Sequence, residues 1–350
     1  MRALTISEHG GLDRVQFRED LEPPELRTPT DVLVRMRAAA LNHLDLFVVA
    51  GLPGVRITPP WILGADGTGV VDAVGDAVTS VVVGDRVLIN AGVSCRECAY
   101  CRSGDQPLCP QFGLLGEHRP GIFAERVVIP ATNVRRIPAA RAAITDAEAA
   151  AFTLVTLTAW RMLVTRARVR PGEDVLIQGI GGGVAIAALL IAKSRGARVW
   201  ATSSRDEKLA KAATLGADET LNYTSVDVAR EVRARTGKRG VDVAIDSVGT
   251  ATWAQSLGAL GRGGRLVTCG ATSGAIVETD VRKLFWNQWS LMGSTMGSDA
   301  EFDAIVAELG AGRPIIPVDS VYPLARGREA LEHLAHGTHF GKVVLSIADD

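Results

Sequence analysis

The sequence lacks several features that would place the chain outside the ordinary globular classes. The N-terminal residues 1–9 contain no apolar core typical of a signal peptide, and no apolar run approaches transmembrane length. Charge of one sign does not dominate either, because 38 Lys and Arg offset 39 Asp and Glu, leaving a net charge of -1. Repeats and low-complexity tracts are also absent. The sequence therefore predicts no nucleic-acid partner and no membrane partner, and the default compartment is the cytoplasm.

Cysteine is scarce, yet four of the five cysteines lie in one short segment. They are Cys95, Cys98, Cys101 and Cys109. Four closely spaced thiolates in a cytosolic chain favour a tetrahedral zinc site, although two disulfides or unrelated buried thiols would also account for the pattern. Four protein ligands close the coordination sphere, so this zinc would organise a lobe, about residues 92–112, and do no chemistry. Cys269 is expected to be a packing residue.

Glycine is plentiful, and its densest cluster is the most informative stretch of the chain. Residues 175–185 read V-L-I-Q-G-I-G-G-G-V-A: an apolar strand, a glycine turn and the start of an apolar helix. Free N–H groups and the positive end of the helix dipole would face a pyrophosphate there. The strict G-x-G-x-x-G pattern fails at Val184, and a plain strand–helix turn is the alternative.

Strand-like and helix-like segments alternate after this turn. The strands are predicted at 175–177, 198–201, 220–223, 241–246 and 265–269, and the helices at 184–194, 206–215, 226–236 and 250–260. Gly216, Gly237 and Gly261 follow the last three helices and would close them. This alternation predicts a right-handed, doubly wound parallel sheet, so the fold class is α/β.

The end of the second predicted strand indicates the type of dinucleotide. NAD sites usually place an acid there for the ribose 2′-hydroxyl, whereas NADP sites accommodate a phosphate. Here the residues are Thr202, Ser203, Ser204 and Arg205, and the first acids come later, inside the next helix. Hydroxyl groups together with Arg205 and Lys208 favour NADPH over NADH. Alternatively, Arg205 and Lys208 are ordinary solvated charges.

Residues 1 to about 150 follow a different pattern. Short strands are predicted at 32–37, 69–74 and 85–89, and Gly and Pro residues separate them. This combination is typical of a mostly β domain. A further strand-like segment at 342–347 could return to that domain.

With these residues in view, the chain resembles the medium-chain dehydrogenase/reductase superfamily over essentially its whole length. The motifs are G-x-D-G-x-G-V-V at 64–71, V-G-D-R-V at 83–87, the four cysteines, L-T-A-W at 157–160, the glycine turn, D-S-V-G at 246–249 and F-G-K-V-V at 340–344. The resemblance implies a GroES-like catalytic domain at 1–153, a Rossmann NADP-binding domain at 154–295 and a return to the catalytic domain at 296–350. It also implies an active site in the cleft between the domains and a homodimer or homotetramer.

Departures from the family pattern bear on the reaction. Zinc alcohol dehydrogenases of this family hold a catalytic zinc through a Cys, a His and a second Cys, and the corresponding residues here are Asn42, Ala65 and Leu154. Neither Ala nor Leu can bind a metal. The resemblance therefore implies that the structural zinc is retained and the catalytic zinc is lost. Quinone oxidoreductases and enoyl reductases of the superfamily work in that way, passing hydride from NADPH to an apolar, electron-poor conjugated acceptor.

The resemblance also implies roles for individual residues. The catalytic candidates are Asn42, His43, Asp45 and Thr158. The cofactor-binding candidates are Gly179, Gly182, Gly183 and Val184 at the pyrophosphate, Ser203, Ser204, Arg205, Lys208 and Tyr223 at the 2′-phosphate, Gly270, Ala271, Ser294 and Thr295 at the nicotinamide, and Lys342. The protein would position donor and acceptor, while the cofactor supplies the hydride.

The sequence leaves the proton donor and the acceptor open. The proton could come from His43, Asp45, solvent or a quinone's own protonation; His43 could instead be structural, and Asp45 and Asp66 could be loop carboxylates. Competing functions are enoyl-thioester reduction, an alcohol dehydrogenase with atypical zinc ligands such as His43 and Asp66, and a non-enzymatic NADPH-binding protein. Two tryptophans within 283–289 could pack in a core or lie at a subunit interface.

Overall fold

The computed structural model describes residues 1–347, and the chain divides into two compact units. Unit 1 comprises Met1–Leu154 and Gly297–Asp350, and unit 2 comprises Val155–Met296. Each unit has its own sheet, and each is described by itself below.

The N-terminal segment of unit 1 is mostly strand. Its strands are β1 (Ala3–Ile6), β2 (Gln16–Arg18), β3 (Asp31–Ala40), β4 (Trp61–Ile62), β5 (Asp66–Val74), β6 (Arg86–Ile89), β7 (Gly92–Val93), β8 (Gly113–Leu114), β9 (Arg126–Pro130) and β10 (Val134–Arg136), and its helices are α1 (His43–Ala50) and α2 (Ala99–Arg102). Short antiparallel strands separated by Gly and Pro make this the mostly β part of the chain, as the sequence predicts.

The boundary between the units falls inside α3 (Asp146–Trp160), which continues as a π-helix over Arg161–Arg166. By length and composition these 21 residues could cross a membrane, although the helix carries Asp146 and Glu148 near its start and Arg161 and Arg166 near its end. The most apolar window is 78% buried inside the fold, which is what a core helix of a globular domain requires.

Unit 2 is a six-stranded parallel sheet with helical connections. Its elements are β11 (Asp174–Ile177), α4 (Gly183–Ser194), β12 (Arg198–Ser203), α5 (Asp206–Thr214), β13 (Glu219–Asn222), α6 (Val228–Arg235), β14 (Val241–Asp246), α7 (Trp253–Ala259), β15 (Leu260–Thr268), α8 (Val281–Asn287) and β16 (Ser290–Gly293). The strand order β13-β12-β11-β14-β15-β16 confirms the doubly wound α/β prediction. The order reverses between β11 and β14, so the carboxyl ends of these strands form the expected ligand-binding edge.

One helix boundary in unit 2 was predicted wrongly. Gly216 (φ +102°) and Gly237 (φ +58°) follow α5 and α6 in the positive-φ conformation that a glycine permits. Gly261 does not close α7, because α7 ends at Ala259 and Gly261 is already inside β15. A Cβ at Gly261 would lie 2.8 Å from the carbonyl oxygen of Arg239, so close backbone approach explains this glycine.

The C-terminal segment completes the sheet of unit 1. It contains α9 (Asp299–Gly310), β17 (Val318–Pro323), α10 (Gly327–His336) and β18 (Lys342–Ser346). β18 pairs antiparallel with β3 and parallel with β17, giving the strand order β10-β6-β5-β3-β18-β17, with β9 also on β3. The first residue of β18 therefore lies beside the end of β3, where α1 begins.

Candidate active site in unit 1 and dinucleotide site in unit 2

Three neighbouring strands bring distant polar residues together in unit 1. Ala40, the last residue of β3, pairs with Asp66 on β5 and with Val344 on β18. Asn42 is the second residue after β3, and Lys342 begins β18. The register therefore places Asn42, Asp66 and Lys342 side by side, although Asp66 and Lys342 are 276 residues apart in sequence.

The Lys342 ammonium group lies at the centre of this cluster. Its Nζ donates to Asn42 Oδ1 at 2.6 Å and to Asp66 Oδ2 at 3.2 Å. Asp66 Oδ1 accepts from the Thr153 hydroxyl at 2.5 Å and from the Leu154 N–H at 3.2 Å. The side chains of Lys342 and Asp66 are 2% and 0% exposed, so this is a buried ion pair with further hydrogen bonds to the carboxylate.

Asn42 is fixed at both ends of its amide group. Its Oδ1 accepts from Lys342, and its Nδ2 donates to the carbonyl oxygen of Ala40 at 3.2 Å. Its main-chain N–H donates to Asp45 Oδ2 at 2.7 Å, as in a capping box at the start of α1. The buried Asp45 is thus a helix residue, and Asp66 is a strand residue, so the loop-carboxylate prediction is wrong for both.

Burial shifts the proton affinities of this cluster. It raises the pKa of Asp45 to about 7, against the opposing influences of the Asn42 N–H and the Lys342 charge. It also lowers the pKa of Lys342, although Asp66 acts in the other direction. His43, the first residue of α1, has its pKa lowered by burial and by Lys342. Asp45 and His43 are therefore groups that could exchange a proton near neutral pH.

The glycine turn of unit 2 has the geometry of an anion-binding loop. Gly179 and Gly181 have φ of +68° and +134°, and Gly182 caps α4, which begins with Gly183 and Val184. A Cβ at Gly182 would meet no atom within 4 Å, so the space before the helix N-terminus is open. A Cβ at Gly181 would lie 3.0 Å from Lys208 Nζ, which places this ammonium group over the turn. These donors fit a pyrophosphate.

A buried polar network supports this turn, and the sequence reasoning missed it. Gln178 Oε1 accepts from the Thr202 hydroxyl at 2.7 Å, and Gln178 Nε2 donates to Ser256 Oγ at 3.1 Å. Ser256 donates to the buried Asp246 at 2.7 Å, and the Gly179 N–H donates to Thr202 Oγ1 at 3.1 Å. Gln178, Thr202 and Asp246 are polar residues at the ends of otherwise apolar strands, and this placement could have indicated a buried hydrogen-bond network.

Asp246 also affects the one cysteine outside the cluster of four. Burial, together with the Asp246 charge, raises the pKa of the Cys269 thiol to about 12. Cys269 is therefore protonated and poorly nucleophilic, which supports the packing role expected from the sequence.

The predicted 2′-phosphate residues gather at the ends of β12 and β13. Ser203 ends β12, and its carbonyl oxygen accepts from the Tyr223 N–H at 3.1 Å. Ser204, Arg205 and Tyr223 are exposed. The nearest acid, Asp206, accepts from Asn222 Nδ2 at 2.7 Å. Exposed hydroxyl and cationic groups therefore lie at this position together with the exposed Asp206 carboxylate.

The predicted nicotinamide residues lie beyond the carboxyl ends of β15 and β16. Gly270 and Ala271 follow β15, and Ser294 and Thr295 follow β16, with the Ser294 N–H donating to Thr268 at 2.8 Å. Thr158, on α3, has its hydroxyl 3.9 Å from Met296 Sδ. The predicted nicotinamide residues thus lie at the ligand-binding edge of the sheet. Lys342 is instead buried beside Asn42 and Asp66. The cofactor-binding roles of all these residues remain predictions.

The four clustered cysteines form a group that could hold a metal ion. Their Sγ atoms all lie within 4.8 Å of one another, and Cys95 Sγ is 3.9 Å from Cys101 Sγ and 3.4 Å from Cys109 Sγ. Four thiolates around a tetrahedral zinc would be separated by about 3.8 Å. Main-chain N–H groups of Glu97 and Cys98 lower the pKa of the Cys95 thiol to about 6, whereas, against the lowering effect of the Cys101 N–H, burial and the neighbouring thiols raise the pKa of the Cys98 thiol to about 11. The donor set therefore fits a structural zinc.

Within residues 1–347, no other group of three or more His, Cys, Asp or Glu side chains is arranged to hold a metal. In the described part of the chain, His43 and Asp66, the atypical zinc ligands considered above, do not belong to any such group. Asp66 is instead bonded to a cation of the protein itself, the Lys342 ammonium group.

Comparison with known proteins identifies the family. Residues 28–139 match the alcohol dehydrogenase GroES-like domain, and residues 183–311 match the zinc-binding dehydrogenase family. Human quinone oxidoreductase is 28% identical over 99% of this chain and 97% of its own. A zinc-type alcohol dehydrogenase-like protein of Schizosaccharomyces pombe is 32% identical over 99% of each chain. A crystal structure of an NAD-dependent alcohol dehydrogenase superposes with a TM-score of 0.94, at 42% identity, covering 99% of this chain and 100% of that one. These matches confirm the resemblance, and the chain belongs to the medium-chain dehydrogenase/reductase superfamily of oxidoreductases.

Proposed function

We propose that the chain is an NADPH-dependent reductase of electron-poor conjugated acceptors that uses no catalytic metal. The observation that carries the proposal is the Asn42–Lys342–Asp66 cluster. At the positions where zinc alcohol dehydrogenases of the family bind their metal, this chain has an amide already bonded to an ammonium group, an alanine and a leucine. A conjugated acceptor is activated by its own electron deficiency and needs no Lewis acid, unlike a saturated ketone.

The dinucleotide would be held by unit 2. Gly182, Gly183 and Val184 would offer main-chain N–H groups to the pyrophosphate, with Lys208 above the turn. When bound, the cofactor supplies the hydride. Arg205 and Ser204 are exposed at the end of β12, where a 2′-phosphate would lie, and no acid occupies the end of the strand. These residues support NADPH, although the similar crystal structure described above is that of an NAD-dependent alcohol dehydrogenase.

The names of the relatives and the residues at the family's zinc positions support the proposed acceptor class. Several curated relatives that cover the chain are named quinone oxidoreductases. A quinone, a 2-enone or a 2-enoyl thioester therefore fits the proposed chemistry. Asn42 would hydrogen-bond the acceptor or the cofactor ribose, and His43 or Asp45 would hold the proton that follows the hydride.

The acceptor panel is the first experiment. The chain should oxidise NADPH with at least one of a 1,4-quinone, a 2-enone and a 2-enoyl thioester, and leave a saturated ketone unreduced, with NADH at least about 10-fold poorer. Cofactor absorbance measures each rate. Reduction of the ketone would contradict the proposal and favour an alcohol dehydrogenase, the second candidate, which the name of the Schizosaccharomyces relative supports. NADPH binding without any turnover would favour a binding protein.

A matched pair of variants tests the choice of cofactor. Arg205→Ser should weaken NADPH binding about 10-fold and leave NADH binding unchanged, because one charge-assisted bond to a phosphate is lost. Arg230→Ser removes another exposed arginine of unit 2, on α6, and should change neither affinity. Equal losses for both cofactors in Arg205→Ser would place this guanidinium group away from the 2′-phosphate.

A homo-oligomer and a cytoplasmic compartment complete the proposal. β16 is an edge strand, and α8 beside it exposes Val281, Phe285 and Trp286 at 63%, 64% and 67%. Apolar side chains that are exposed together mark interaction surfaces.

The five cysteines are free in the structure, in keeping with a reducing compartment.

A charge on α8 should therefore dissociate the oligomer. Trp286→Lys is expected to halve the sedimenting mass, because a lysine cannot be buried there without a partner. Val83→Lys, at a valine of unit 1 that is 62% exposed, is the matched control and should leave the mass unchanged. A wild-type chain that sediments as a monomer would contradict the oligomer.

A further inference from the structure

Three histidines lie in a line that begins beside Asn42. His43 opens α1, His339 lies in the segment between α10 and β18, and His333 is in the last turn of α10. The ring centroids of His43 and His339 are 6.4 Å apart, and those of His339 and His333 are 6.3 Å apart. Rings at such separations can exchange a proton through one bridging water or after a ring rotation.

The far end of the line reaches the surface through a carboxylate. His333 Nε2 is 2.9 Å from Asp319 Oδ2, and these side chains are 28% and 21% exposed. Asp319 Oδ1 accepts the Phe340 N–H at 2.8 Å, so this residue also anchors the segment that carries His339. Burial alone would raise the pKa of Asp319, but hydrogen bonds from the Phe340 N–H and from His333 outweigh it, so the pKa is lowered. Asp319 is thus an ionised, partly solvated acceptor beside His333.

His43, at the other end of the line, needs a supply of protons. Burial and the Lys342 charge lower the pKa of His43, so its imidazole is mostly neutral at neutral pH. A neutral ring that gives up its N–H proton must regain one before it can act again. His339 is 4% exposed and its ring lies between those of His43 and the partly exposed His333, so it is the link between the two ends of the line. Each neutral imidazole has one donor and one acceptor nitrogen, which is what a relay requires.

We propose that His43, His339 and His333 form a proton relay that delivers one solvent proton per turnover from the Asp319 end to the reduction site. This inference rests on the proposed function. The overall balance is NADPH + A + H⁺ → NADP⁺ + AH₂, where A is the conjugated acceptor. The acceptor gains hydride on carbon, and the resulting anion takes the His43 N–H proton while the other ring nitrogen of His43 takes a proton from His339. In the same step His339 takes a proton from His333, and His333 takes one from a hydronium ion of the solvent beside Asp319, so no imidazolate forms.

His339→Gln breaks the relay and keeps hydrogen-bonding capacity at that position. In stopped-flow single turnovers, wild-type proton uptake, followed with a pH indicator, should keep pace with NADPH oxidation. In His339→Gln, steady-state turnover should fall at least about 10-fold, with proton uptake lagging behind oxidation, and added imidazole should restore the rate. His336→Gln, on the exposed end of the same helix, is the control and should behave as wild type.

A second readout needs neither cofactor nor acceptor. Exchange of the His43 ring N–H with water, followed by ¹⁵N NMR on the free chain, should slow in His339→Gln and in His333→Gln but not in His336→Gln. His333 is partly exposed, so His333→Gln tests the relay even if His339→Gln fails to fold. Wild-type proton uptake and wild-type ring exchange in His333→Gln, or in a folded His339→Gln, would overturn the relay. If the wild-type chain reduces no acceptor, the proposed function fails, while the exchange measurement still decides whether the path exists.

Discussion

Lys342→Met should destabilise unit 1 by about 3–5 kcal/mol, because it leaves the Asp66 carboxylate buried without its cation. The side chain of Asp66 is fully buried, and its hydrogen bonds from Thr153 and Leu154 do not replace an ion-pair partner. Hydrogen exchange with mass spectrometry can measure this locally. Peptides covering β3 and β18 should exchange about a hundredfold to a few thousandfold faster, while β11 and β12 in unit 2 serve as the internal reference.

A second substitution shows whether the uncompensated charge is the cause. Asp66→Asn in the Lys342→Met background removes the charge and retains an oxygen that can accept from Thr153. The double variant should therefore recover to within about 1–2 kcal/mol of wild type. Lys193→Met removes an ammonium group from the half-exposed pair with Asp218 and should cost no more than about 1 kcal/mol. A double variant as unstable as Lys342→Met would contradict the buried-charge explanation.

The dinucleotide fold could be predicted because its signals are local. The apolar run of β11, the glycine turn and the apolar α4 are consecutive, so period and composition alone place them to within one or two residues. Gly261 was misjudged for a physical reason. A glycine chosen for close approach to Arg239 cannot be distinguished by sequence from one that closes a helix.

The cluster in unit 1 could not be predicted in the same way. Asp66 and Lys342 each lie in a recognisable motif, yet nothing in either motif shows that their side chains meet. Their contact depends on the register of β18 against β3 and on that of β5 against β3. The raised pKa of Asp45 likewise depends on burial, which a sequence of mixed polar and apolar residues around α1 does not reveal.

Loss of the metal from the cysteine lobe is the other change with a large expected effect. We expect one zinc per purified chain and essentially none in Cys98→Ser. Even the loss of a group that only hydrogen-bonds a metal ligand weakens metal binding about 10–100-fold, and Cys98→Ser removes a ligand itself. Elemental analysis after dialysis gives the zinc content. Cys269→Ser removes the thiol outside the group of four and should keep the full zinc content.

The consequences of zinc loss should extend beyond the lobe to α9. Arg96, between two of the cysteines, forms an ion pair with Asp299, and Gln106 accepts the Asp299 N–H at 3.3 Å. Asp299 is the first residue of α9. Because a structural zinc supplies folding free energy to the segment it binds, its loss should raise hydrogen exchange in residues 95–109 and in the first turn of α9. If Cys98→Ser keeps the wild-type zinc content, or if hydrogen exchange is unchanged in both segments, these thiols do not hold the metal. Two zinc ions per wild-type chain would instead require a second site and would favour the alcohol dehydrogenase candidate.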